Sequence, residues 1–152
     1  MMFRVVVQSE RIDIAAETAN LSSDGAAGAA VVFCGYCRDE GGRLSALELE
    51  HYPGMAEREI QNILAEAAAR WPLISACVVH RFGKIAPGEE IVFSGCTSVH
   101  RHAAFEAGAY VMDFMKTRAP FWKREHLLDG TVGAWVDAKD ADLSATDRWH
   151  RL

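Results

Sequence analysis

Apolar residues recur along this chain with two different periods, and the change from one to the other marks out its elements. Phe3 to Val7 is a β-branched run that predicts a first strand. Ile12 to Leu21 is alanine-rich with the apolar spacing of a short helix, and residues 22–28 form a small-residue loop. Ala29 to Tyr36 reads as a buried strand, and Asp39 to Arg43 (DEGGR) as a turn rich in charge and glycine. Leu44 to His51 alternates, with Leu47, Leu49 and His51 on one face and Glu48 and Glu50 on the other. That predicts a half-exposed strand, antiparallel to the preceding one across the short turn. From Ala56 to Arg70 the period lengthens: Ile60, Ile63, Leu64, Ala67 and Trp71 form one apolar stripe, and Pro72 ends the helix. Ser75 to Phe82 and Glu90 to Ser98 read as strands joined by the loop GKIAPGE. His100 to Thr117 reads as a second long helix, with Ala104, Gly108, Val111, Met112 and Met115 packed. Beyond Pro120, Phe121 to Glu125 and Thr131 to Val136 are short extended segments around an Asp129-Gly130 turn. The polar tail from Asp140 is helical or loose. Strands and helices interleave without a strict βαβ rhythm, which predicts an α+β fold with helices packed on a mainly antiparallel sheet. No linker or repeat interrupts the pattern, so residues 1–152 read as a single domain.

Composition narrows the function classes. Half the residues are apolar and the net charge is −5, so no overall basic character points to nucleic acid. No apolar run approaches the roughly 18 residues that span a bilayer. The opening MMFRVVVQSER lacks the cleavage site of a signal peptide, and the expected location is the cytoplasm. Cys34 and Cys37 form a CxxC, while Cys77 and Cys96 sit alone in apolar runs. No helix opens after Cys37 to depress a thiol pKa, and no second pair completes a zinc site. The four cysteines therefore read as reduced, mostly buried packing residues.

Chemistry concentrates in Met112 to Glu125 (MDFMKTRAPFWKRE). Lys116, Arg118, Lys123 and Arg124 outnumber Asp113 and Glu125 there, and Phe114, Phe121 and Trp122 stand beside the cations. This suggests a partly desolvated basic pocket, where burial would lower a lysine pKa and make it a proton donor, base or nucleophile. Lys116 taken alone is explained as well by the helix dipole. His100-Arg101-His102 opens a helix, where free N–H groups and the positive dipole end suit an anion; a solvated charged first turn is the alternative. The two histidines diverge too far around a helix to share a zinc ion. Arg38 ends a buried strand, and its plainer reading is a surface partner of Asp39 or Glu40.

Three separated blocks, HYPGM ending at Met55, TSVHRHAAFEAG over Thr97 to Gly108 and KTRAPFWKRE over Lys116 to Glu125, resemble the large subunit of molybdopterin synthase. The similarity runs from about Gly28 to about Lys139. The resemblance implies an α/β hammerhead-type fold and a sulfur transferase without metal or organic cofactor. It acts on cyclic pyranopterin monophosphate (precursor Z). The donor is the C-terminal Gly-Gly thiocarboxylate of a small ubiquitin-like subunit, within a heterotetramer built on a dimer of large subunits. Two sulfurs are delivered in turn, from two donor molecules, to build the dithiolene of molybdopterin, and molybdenum enters after this step. The family's F-x-G-x-V-R segment appears as Phe33 to Arg38, with Cys37 in place of the usual valine and Tyr36 beside it. The resemblance makes Arg38 a pterin contact, Lys116 and Lys123 the pocket lysines, and Arg124 and Glu125 the end of the substrate-binding run. For such a substrate, a cyclic phosphate needs cations of the Arg38, His100 and Arg101 type. WVDAK at Trp135 to Lys139 resembles a segment whose last basic residue reaches a neighbouring subunit's site; lysine there keeps the charge and loses the guanidinium fork. A reading from another class is a non-catalytic module that binds a ubiquitin-like tail and a phosphate-bearing ligand.

Overall fold

The computed structural model describes residues 2–21, 24–136 and 140–150. In chain order the elements are β1 (Met2–Gln8), α1 (Ile14–Leu21), β2 (Ala29–Tyr36), β3 (Leu44–His51), α2 (Met55–Arg70), β4 (Leu73–Arg81), β5 (Gly83–Ile85), β6 (Glu90–Ser98), α3 (Arg101–Arg118), β7 (Phe121–Leu127) and α4 (Asp140–His150). They build two sheets, one ordered β1-β4-β6-β2 and the other β5-β3-β7. Among the described residues only the β1–β4 pairing is parallel; the remaining ladders are antiparallel. The expected α+β architecture is therefore the one observed.

β4 runs through the middle of the larger sheet, and its alternation divides the core in two. Ala76 and Val78 face one way, toward Ile60, Ile63 and Leu64 of α2 and Val111 and Met115 of α3. Cys77 and Val79 face the other way, packing with Ile12, Leu21 and Phe93. Both faces are covered, so β4 and β6 read as nearly continuous apolar runs. The predicted α2 stripe is fully buried at Ile60, Ile63 and Ala67. Trp71 adopts extended geometry, as a residue before proline must, and this ends α2 at Arg70. Arg118 ties α3 to α2 by donating to Glu59 at 2.7 Å and to both oxygens of Glu66. The tail from Asp140 resolves as helical. Trp149 anchors it, donating from Nε1 to Asp113 at 2.6 Å and meeting Trp71 and Tyr110 edge-on.

The predicted hairpin between Leu44–His51 and the strand before it does not form. β2 pairs with β6, and β3 pairs with β5 and β7 in the other sheet. Glu40, Gly41 and Gly42 all take positive φ, and the loop carries the chain from one sheet to the next instead of folding it back. Cys37 donates to Glu89 O and accepts from Gly88 N, so the exit of β2 stays attached to the β5–β6 connection. Gly83 to Ile85, predicted as part of a loop, forms the edge strand β5. Thr131 to Val136 is held against β7 by two isolated bridges, His126 to Val132 and Lys123 to Val136.

Gly28 sets the start of β2 against the end of β6. Its N–H donates to Ser98 O at 3.0 Å, and a Cβ there would stand 2.1 Å from Val99 O. Backbone cannot move aside as a flexible side chain can. Gly28→Ala is expected to lower stability by roughly 2–4 kcal/mol, read as a shift of the urea midpoint at unchanged m-value.

Candidate functional site

The site begins where α3 stops. Lys116 and Arg118 lie in the last helical turn, near carbonyls that lack intrahelical partners. Ala119 is extended ahead of Pro120, and Phe121 N donates to Ala119 O at 2.8 Å. The chain thus passes from helix to β7 in three residues. The turn lets Lys116 and Lys123, seven positions apart, face one space.

That space is a cavity of about 520 Å³, lined by Tyr36, Cys37, Arg38, Lys116, Lys123, Arg124 and Glu125. Leu47 and Ile91 provide apolar wall, and Gly133 to Val136, bridged to β7, close one side. Arg43 and Glu40 enter from the turn between the sheets. Among the described residues five cations face two carboxylates there, an arrangement suited to an anion with a flat apolar body. A narrower recess of about 100 Å³ shares both lysines and is lined also by His80 and Phe121.

Seven of the ten residues singled out in the sequence meet here. Arg38 is largely exposed and touches Glu40 at 3.4 Å, so it is a surface arginine and a cavity residue at once. Arg124 donates from Nε to Glu48 at 2.9 Å and stacks over Trp135, 4.3 Å from the ring centroid. His126 shares the same Glu48 oxygen at 2.7 Å. These contacts, first His126 and then Arg124, hold the Glu48 carboxyl below its ordinary range. Arg124 is therefore clamped.

His100, Arg101 and Trp122 lie elsewhere. Within one chain His100 and Arg101 are not at this cavity: they lie exposed at the opposite end of α3, about 22 Å from Lys116 at 1.5 Å per residue. Trp122 does not shield the lysines. Strand alternation turns it to the other face of β7, where it meets Tyr52 edge-on at 5.0 Å; Phe121 alone of the two lines the recess. Lys116 is exposed and Lys123 half-buried, so the pocket is desolvated only in part. Lys139 lies outside the described residues. Sequence reasoning missed Arg43, Glu48 and His80. Arg43 had a faint signal, a second arginine across the same turn as Arg38; the others depend on which strands become neighbours.

Residues 7–118 match the family model described as MoaE protein. The chain belongs to the MoaE family. It is 58% identical over 146 residues to the molybdopterin synthase catalytic subunit of Mesorhizobium japonicum, covering 95% of this chain and 92% of that one. A solved MoaE protein from Burkholderia ambifaria superposes with a TM-score of 0.85 at 42% identity, covering 98% and 99% of the two chains. The crystal structure of molybdopterin synthase from Staphylococcus aureus gives a TM-score of 0.77 at 31% identity, covering 88% and 96%.

In this MoaE chain all four cysteines are free thiols. Cys37 is buried against Leu44, Leu49 and Ile85 although it borders the cavity. Burial raises the pKa of Cys34 and Cys37 and pushes Cys77 and Cys96 up to about 11. Among the described residues no group of His, Cys, Asp and Glu is arranged to hold a metal. Changing Cys34 and Cys37 together to Ser is expected to cost about 1–3 kcal/mol of stability through the buried hydroxyls. Turnover per folded molecule should stay within about tenfold of wild type. A thousandfold loss in a folded double variant would reveal a working thiol.

Proposed function

We propose that this chain is the catalytic, sulfur-transferring subunit of a molybdopterin synthase. It converts cyclic pyranopterin monophosphate to molybdopterin with the C-terminal thiocarboxylate of a small ubiquitin-like subunit. The observation that carries the proposal is the convergence of Arg38, Lys116, Lys123, Arg124 and Glu125 on one cationic cavity, in a chain closely similar to proteins named molybdopterin synthase catalytic subunit. The pterin is flat and its phosphate anionic, which suits apolar wall beside Arg38 and Arg43. A thiocarboxylate is an anionic nucleophile, and lysines beside it hold it and stabilise an oxyanion that forms during transfer.

In this reading Lys116 is the catalytic group and Lys123 binds and orients substrate while supporting the reaction, with Arg124 and Glu125 fixing its position. Tyr36 and Cys37 border the pterin. His100 and Arg101 serve the same substrate only from a second copy of the chain, given their distance from Lys116, and Lys139 reaches a neighbouring site. Both roles fit a dimer of large subunits with one small subunit at each end. Among the described residues no helix is long and apolar enough to cross a membrane, and we place the reaction in the cytoplasm, where free thiols persist.

The test is reconstitution. The purified chain, a thiocarboxylated small subunit and precursor Z should yield molybdopterin, and no product from an intact complex would leave only the non-catalytic binding module.

A further inference from the structure

His80 is a buried titratable side chain at the recess that the two lysines share. It lies near the end of β4, on the same face as Ala76 and Val78, and that face is covered by α2 and α3. Its strand neighbours are Val7 of β1 and Val92 of β6, so its flanks are aliphatic. Only 9% of it is exposed, yet it lines the recess that Lys116 and Lys123 share. Phe121 stacks on it nearly parallel, centroids 3.8 Å apart, and also stacks on His51 at 5.8 Å. The ring therefore has one orientation, fixed by a residue of the turn that joins the lysines.

The backbone decides its tautomer. His80 Nδ1 stands 2.8 Å from the carbonyl oxygen of Arg81. A carbonyl only accepts, so Nδ1 carries the proton and Nε2 keeps its lone pair. Burial pushes the pKa down to about 4; the Arg81 carbonyl opposes this, and the positive charges of Lys116 and His51 add to it. Near neutrality the imidazole is thus an uncharged acceptor beside cations.

Resting on the reading of Lys116 as the catalytic group, we infer that His80 is its positioning residue: the Nε2 lone pair accepts a hydrogen bond from the Lys116 ammonium once tail and substrate have displaced water from the recess. A neutral imidazole suits this task. It leaves the ammonium its charge, aims one of its three protons, and frees the other two for the thiocarboxylate and the carbon's developing charge. A carboxylate in the same place would neutralise the lysine. Lys116 is exposed in the chain alone, so the bond tightens only in the filled site, as catalytic contacts often do.

The experiment compares variants in the assembled synthase with a thiocarboxylated small subunit. His80→Phe keeps the stacking and the burial but removes the acceptor. His80→Gln loses the ring but returns an oxygen near the place of Nε2. His80→Phe is expected to lower kcat on the order of tenfold or more, with KM for the precursor little changed. His80→Gln should recover part of the loss, and His80→Phe on top of Lys116→Ala should slow the reaction no further. A second measurement is made on the assembled synthase with precursor bound: the imidazole ¹⁵N signals of His80 should report the Nδ1–H form, and the Nε2 signal should differ between wild type and Lys116→Ala. Wild-type kcat in His80→Phe, while Lys116→Ala is inactive, would overturn the positioning role and leave Lys116 catalytic. An Nε2–H tautomer would overturn it too. Near-normal rate in Lys116→Ala would remove the reading beneath it.

Discussion

Lys116→Ala is expected to fold, dimerise and dock its small subunit, and to lose on the order of a hundredfold or more in rate, the usual scale for one general acid–base or electrostatic group. The side chain leaves the last turn of α3 and reaches both the large cavity and its recess. It is exposed, so truncating it opens no hole in the core. Lys116→Arg should not rescue the rate, because a guanidinium stays protonated and its planar fork does not fit the place of a compact ammonium. Lys123 lies on β7, bridged to Val136. Lys123→Ala should weaken precursor binding together with turnover. Single-turnover rates and binding titrations on the three variants separate these roles, and near wild-type product formation by Lys116→Ala would refute the assignment.

An equally large loss is expected when the small subunit lacks its terminal Gly-Gly. The recess beside Lys116 and Lys123 is only about 100 Å³ and is walled by Phe121 and His80. A chain end without side chains enters such a slot, and the anion at its tip meets both ammonium groups. Without that end no sulfur reaches the pterin, so transfer should stop. Docking should weaken without vanishing, since the tail is one part of a protein–protein contact and the body of the partner keeps the rest. Full activity with the truncated partner would eliminate the thiocarboxylate mechanism, and titration of the two forms against this chain measures the share of affinity held by the tail.

Much of this molecule was legible along the chain, because the forces concerned act over a few residues. The stripe Ile60, Ile63, Leu64 and Ala67 needs only the 3.6-residue period to declare a buried helix face, and it is buried. Pro72 and Pro120 stop helices by local sterics, and the second of these turns brings Lys116 to Lys123. The MoaE resemblance was likewise carried by contiguous blocks, and the family match bears it out.

What the chain by itself could not decide was which strands become neighbours. A strand's alternation says that one face is buried, not against what, since its ladder is satisfied by any partner of suitable register. For β2 the nearest choice was β3, across seven residues, while β6 lies much further along. Proximity favoured β3; β6 won because β2 is apolar enough to lie in the larger sheet while three left-handed residues at Glu40, Gly41 and Gly42 direct the chain away. From that one choice follow the cavity between the sheets, the clamp of Glu48 on Arg124, the face on which Trp122 is spent, and the meeting of His80 with Lys116. The length of α3 likewise decides that His100 and Arg101 cannot join Lys116 within a single chain. Local pattern determined the elements and the reacting groups; burial of both sheet faces at once, a property of the whole chain, determined which groups share a space.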